Sequence, residues 1–168
     1  VADSLRDFHS AGPPLLKIVG DESASEAARM WSMRALSLIR PKIAGARDVI
    51  APLMTADSKQ LAASAAIALG TLGDSSESVL QGIVAAMTFD SPLKDQALST
   101  LEVLGTRARP VLPDLYALLD SDDERHVYDA VRTIPPVAGP SSDAASRLIA
   151  RLARAEPGQN YSIGYALQ

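Results

Sequence analysis

The chain has 168 residues, 47% of them hydrophobic and 21% charged, with a net charge of −4. That balance is ordinary for a soluble chain and supplies ample material for a buried core. The absence of cysteine rules out disulfides and cysteine-ligated metals, and no run of about 18 apolar residues exists to span a membrane.

The first residues, Val1 to Arg6, lack an initiator Met and the apolar run of a signal peptide, so a segment cut from a longer chain, or a processed one, is expected. Ser4 to His9 reads as a partial helix. Pro13-Pro14-Leu15-Leu16-Lys17-Ile18-Val19 reads as its helical partner, started by Pro13, whose missing N–H costs nothing at the first helical position. Ser23-x-x-Glu26 fits a capping box and predicts the next helix start. That helix holds Ala28 to Leu36, with Trp31, the only tryptophan, placed in the core among Ala27, Ala28, Met30, Ala35 and Leu38. Arg40 to Gly45 forms a long turn into a second helix through Ile50 and Met54.

Asp57-x-x-Gln60 predicts the following start. Ala62, Ala65, Ala66 and Leu69 then stand at i, i+3, i+4 and i+7, one face of a helix. Leu72-Gly73-Asp74-Ser75-Ser76 breaks it, with Gly73 suited to a left-handed C-terminal cap. Leu80, Ile83, Val84 and Met87 repeat the helical spacing. Ser91-Pro92 opens the next pair, Pro110 is placed at the start of its second helix, and Ser121-x-x-Glu124 opens the pair after that. Pro135-Pro136 is expected to stop a first helix and Pro140 to begin a second. Tyr161 to Gln168 reads as the first helix of a further, incomplete pair. Period-two alternation of β-branched residues is absent throughout, so no sheet is expected.

The pairs repeat. Adding 32 carries Ala65, Leu69, Leu72-Gly73, Val79-Leu80, Ile83-Val84, Met87 and Asp90 onto Ala97, Leu101, Leu104-Gly105, Val111-Leu112, Leu115-Tyr116, Leu119 and Asp122. Subtracting 33 carries Ala68-Leu69 onto Ala35-Leu36 and Met87 onto Met54; adding 33 carries Ala97 onto Ala130 and Leu115 onto Leu148. Such a period predicts an all-α, right-handed α-solenoid of about four to five stacked helical hairpins. The expected organisation is a single repeat domain over 1–168, with units near 23–57, 58–90, 91–122 and 123–156 and partial units at 1–20 and 157–168.

The block Ala-Ala-x-Ala-Leu-Gly-x-Leu-Gly, the run Val-Leu-Pro-x-Leu-x-x-Leu-Leu and the closing Asp-Ser-Asp-Asp-Glu resemble a HEAT repeat of the short bacterial type, clearest over Ala62–Asp90 and Lys94–Glu124. The resemblance covers about Leu15 to Gln168 and implies a HEAT-like superhelix acting as a scaffold or docking surface, with no shared catalytic residues, cofactor or metal to carry over. Ala28 to Leu36 is also similar to the opening helix of HEAT-like tails on some bacterial sulfatases, which implies an alternative role as an accessory domain of a larger bacterial enzyme.

His9 and His126 stand in distant units and give no convergent metal ligands. Asp120-Ser121-Asp122-Asp123-Glu124 lacks the central glycine and length of a calcium loop, and helix capping accounts for it better. No Gly-x-Ser-x-Gly motif or Ser-His-Asp set points to hydrolysis. Arg147, Arg151 and Arg154 line one helical face at i, i+4 and i+7. Their counterparts in earlier units, Asp114, Gly82 and Val49 for Arg147 and Leu118, Ala86 and Leu53 for Arg151, do not extend the strip. A short strip on an acidic chain argues against nucleic acid as the partner, which makes a nucleic-acid-binding helical-repeat protein the third reading. Second helices usually line the concave face of such stacks, which nominates Asp48, Gln81, Asp114, Arg147 and Arg151, interleaved with Pro52, Ala85 and Ala117, as contacts for a protein or peptide. Asp114 and Arg147 are expected to orient that partner; contacts with other domains of a parent chain are the intramolecular alternative.

Overall fold

Every element of the computed structural model is helical over the residues it describes, 10–40, 42–89 and 92–154, and no strand occurs among them. The expected helices at Ser4 to His9 and Tyr161 to Gln168, and His9 itself, lie outside those residues. The chain divides into two compact units, Val1–Thr100 and Leu101–Gln168, and the division falls inside one helix, Leu93–Leu104.

The first unit contains α1 (Gly12–Gly20), α2 (Glu26–Leu38), α3 (Ala46–Ile50) continued by a 3-10 turn over Ala51–Thr55, α4 (Lys59–Thr71), α5 (Glu77–Ala86) and most of α6 (Leu93–Leu104). α1 packs on α2, α2 on α4, and α4 on both α5 and the Ala51–Thr55 turn. α4 is the hub. Leu61 and every residue from Ala63 to Gly70 are buried, so the helix is enclosed on all sides rather than along the single stripe of Ala62, Ala65, Ala66 and Leu69. Apart from Leu61, Ser64, Ile67 and Leu69 its buried residues are alanine or glycine, and a helix apolar all round suits burial on every side. Small side chains also permit close approach. A Cβ added to Gly82 of α5 would lie 2.5 Å from the Cβ of Ala66, a separation that only glycine allows.

α4 ends on the glycine the sequence marks. Gly73 has φ +95°, its N–H donates to Gly70 O at 2.8 Å, and the N–H of Asp74 donates to Leu69 O at 3.0 Å. This double closure satisfies carbonyls that the helix end would leave open. Asp74 then accepts from Ser76 N at 2.9 Å and pairs with Arg47, which ties the turn to α3.

The helix starts differ in detail from the expected boxes. Ser25, not Ser23, caps α2, accepting from Ala28 N at 3.2 Å, while Ser23 donates to Asp21. Ser58, not Asp57, caps α4, accepting from Leu61 N at 3.2 Å. Both capping serines have extended backbone, the geometry that aims a short side chain at the third residue onward.

Trp31 corrects a core assignment. It is 64% exposed, and Leu38, seven residues on, is 58% exposed. The buried stripe of α2 is Ser32, Met33, Leu36 and Ser37, which turns positions 31 and 38 outward.

The second unit contains the end of α6, a 3-10 turn over Gly105–Val111, α7 (Leu112–Leu119), α8 (Glu124–Ala138) and α9 (Ser142–Ala153). α8 packs on α7, on the Gly105–Val111 turn and on α9. Leu115, Leu119, Val127, Val131, Ile134 and Leu148 are among its buried residues. Pro110 lies within the 3-10 turn, and the helix it was expected to start begins at Leu112, with Pro113 in its first positions. Asp123 caps α8 through Arg125 N at 2.9 Å, and Ser121 accepts from Asp123 N at 3.1 Å, so this acidic joint serves the helix start.

Pro135-Pro136 does not stop α8, which runs on to Ala138. The two prolines sit in its last turn, where they withhold donors from Val131 O and Arg132 O while their fixed φ still fits a helix. Gly139, at φ +61°, donates to Pro135 O at 3.0 Å, and Arg109 donates to Ala138 O from Nε at 3.2 Å and Nη2 at 3.0 Å. These bonds satisfy two carbonyls at the C-terminal end of the helix. Arg132 and Glu102 pair at 2.8 Å, both half-buried. The hydroxyl of Thr133, fully buried, has no hydrogen-bond partner among the described residues.

Candidate docking cleft

α9 is amphipathic in the plainest sense. Ala144 and Leu148 are buried on one side, while Arg147 is exposed and Arg151 half-buried. The spacing i, i+4 that buries Ala144 and Leu148 also aligns Arg147 with Arg151, one position round the helix. On α7, Leu115 and Leu119 are buried by the same logic, and Tyr116 emerges half-buried beside them.

Tyr116 and Arg147 meet face to cation. The guanidinium carbon of Arg147 lies 4.5 Å from the Tyr116 ring centroid. Asp143, one turn earlier on α9, bonds to both members of the pair. Its Oδ2 accepts from Arg147 Nε at 3.2 Å, and the Tyr116 hydroxyl donates to the same oxygen at 3.5 Å. Burial raises the Tyr116 phenol above its ordinary value, the Asp143 charge adds to the rise, and Arg147 works against it. The phenol thus stays protonated and a donor at neutral pH.

Arg151 plays a different part. Its Nε donates to Leu119 O at 3.1 Å, supplying a donor and a positive charge to the carbonyl end of α7. Between these groups lies a cleft of about 210 Å³, lined by Tyr116, Leu119 and Asp120 on the α7 side and by Arg147, Ala150, Arg151 and Arg154 on the α9 side.

Of the nominated contacts, Arg147 and Arg151 are brought together at this cleft. Asp114 is half-buried in the first turn of α7, away from the Leu119 end, and does not line it. Asp48 on α3 and Gln81 on α5 are exposed in the first unit, as are Pro52 and Ala85; Ala117 is exposed on α7. Sequence reasoning left out Tyr116, Asp120 and Asp143. Tyr116 matched an apolar position of the repeat, which concealed its hydroxyl, but Asp143-x-x-x-Arg147 is a readable i, i+4 ion pair. His126 is half-buried with Nδ1 3.3 Å from Ser121 Oγ. No three His, Cys, Asp or Glu side chains among the described residues are grouped to hold a metal, and no helix among them is long and apolar enough to cross a membrane.

No family model matches the chain, nor does any curated protein or solved structure.

Proposed function

We propose that this chain is a non-enzymatic protein-interaction module, a scaffold of HEAT-like hairpins in a right-handed stack that binds a protein or peptide through its second helices. The observation that carries the reading is the cleft of the second unit. Arg147 and Arg151, nominated from the repeat, line it together with Tyr116. Arginine and tyrosine are, with tryptophan, the side chains most enriched at interface anchors, tyrosine bringing a large ring with few rotatable bonds and arginine a planar fork of donors. Here Arg147 is held by Tyr116 and Asp143, and Arg151 by Leu119 O, so part of the ordering cost of binding is met before a partner arrives.

The test is affinity capture from the native lysate with the wild-type segment and with the double variant Asp114→Lys, Arg147→Glu, followed by titration of the purified partner. The expected result is a partner whose affinity falls at least about tenfold in the variant while thermal unfolding is unchanged. A partner bound equally well by both proteins, or turnover of a substrate by the segment alone, would overturn the reading.

A further inference from the structure

We infer that the cleft of the second unit takes carboxylate side chains, and that its occupant is an extended acidic peptide with acids at alternate positions. The inference rests on the docking reading above and names the chemistry of the partner.

Charge comes first. Three guanidinium groups and one carboxylate, Asp120, line the cleft, and Asp143 beside it pairs with Arg147, which leaves one positive charge in excess on a chain whose net charge is −4. The local sign is therefore opposite to that of the whole molecule, which draws an anion to this place in preference to others. The donors are also placed. A guanidinium carries about five N–H groups in a rigid fork. Arg147 uses Nε on Asp143 and Arg151 uses Nε on Leu119 O, bonds that fix both groups while leaving their terminal nitrogens as further donors.

Beside the cleft, and outside its lining, the chain already sets one carboxylate on the Arg147–Tyr116 pair. Asp143 Oδ2 takes the Arg147 Nε at 3.2 Å and the Tyr116 hydroxyl at 3.5 Å, so the Arg147–Tyr116 pair is built to the dimensions of a carboxylate oxygen. A cleft of about 210 Å³ holds roughly seven waters at ~30 Å³ each, more than one anion needs and less than a drug-sized ligand fills. One or two acidic side chains suit it.

Spacing selects the peptide. Arg147 and Arg151 are about 6 Å apart along the helix axis, and Arg151 and Arg154 about 4.5 Å. Acids at i and i+2 of an extended chain are about 6.5 Å apart on one face. The whole strip spans about 10.5 Å, too short for a duplex that presents a charge every ~1.7 Å and is normally followed by a longer track of cations. The equivalent positions of the other second helices, Asp114, Gly82 and Val49, do not lengthen it.

The experiment titrates the 168-residue chain, observed by NMR at backbone amides and arginine Nε, with a terminally blocked heptapeptide carrying glutamate at alternate positions. Its glutamine counterpart and a single-stranded oligonucleotide of equal charge are the comparisons. Shifts confined to Tyr116, Arg147, Arg151, Arg154 and their neighbours are expected, with binding at least about tenfold weaker for the glutamine peptide and for Arg154→Glu, and weaker again as salt rises from about 50 to about 200 mM. Arg154 is exposed, so circular dichroism of that variant should match wild type. Equal binding of the glutamine peptide, shifts centred elsewhere, an unaltered Arg154→Glu affinity or tighter binding of the oligonucleotide would each overturn the inference. A captured partner that is lost from the Asp114/Arg147 double variant yet binds Arg154→Glu normally would keep the docking reading and remove this one.

Discussion

At the scale of single residues, three positions turn packing into measurable differences. Gly82→Ala should raise the helix propensity of α5 by about 0.5–1 kcal/mol. The new methyl would stand 2.5 Å from Ala66 Cβ, an atom with no rotamer to yield, and forced overpacking costs about 1–3 kcal/mol. The expected sum is destabilisation, read as a lower urea midpoint; a rise in the midpoint would contradict the close approach of α4 and α5. Trp31→Ala should cost less than about 1 kcal/mol, against about 3–5 kcal/mol for a buried tryptophan, and the native fluorescence should be quenched readily by iodide because the ring is 64% exposed. Thr133 lends itself to the opposite change. In the first unit Thr100, 33 positions earlier, donates to Gln96 O at 2.8 Å and meets the Thr71 hydroxyl at 3.3 Å. The residue 32 after Thr71 is Val103, which has no hydroxyl to offer the repeat. Thr133→Val, which keeps the shape and removes the buried unpaired group, should stabilise by about 1 kcal/mol in a thermal melt.

At the scale of elements, the sequence was legible where one residue type alone satisfied the backbone. Gly73 is the clear case, because its φ of +95° excludes other residues at little cost, and the end of α4 was placed correctly. The starts were harder. Ser23 and Ser25, Asp57 and Ser58, Ser121 and Asp123 all carry a suitable acceptor oxygen, and only the local backbone decides which of them faces the open N–H groups. That choice can be checked. Ser58→Ala should cost about 1 kcal/mol, while Asp57→Ala should change stability by only a few tenths; the reverse order in denaturant titrations would return the cap to Asp57. Pro135-Pro136 misled because proline removes the bond to the carbonyl four residues back but its fixed φ still fits a helix, and Gly139 and Arg109 supply bonds to the end of α8. Of the cleft, the arginines were legible from their spacing. Tyr116 was not, since an aromatic at a repeat position reads as core.

At the scale of the whole molecule, acid sensitivity follows from three aspartates. Asp21 is held below the usual 3.8 by hydrogen bonds from the Ser23 side chain and backbone. Asp123 is lowered by the backbone and side chain of Arg125. At Asp74 burial pushes upward, but bonds from Ser76 and the Arg47 charge outweigh it. In each case the unfolded chain takes up a proton at a higher pH than the folded one. The stability these groups contribute is therefore present above about pH 4 and is lost as pH falls through their depressed folded values. Asp123→Asn should be less stable than wild type at neutral pH, and the two should converge in acid; parallel curves down to about pH 2 would show that Asp123 contributes nothing through its charge.

The enclosure of α4 has a consequence for how the first unit breathes. A helix buried on every side gives up its amide protons only when its neighbours come away from it, so its exchange with deuterated solvent should report the deepest opening of that unit. Amides of Ala65 to Leu69 should be among the last to exchange there. Those of α3, one short turn followed by a looser one, should exchange early.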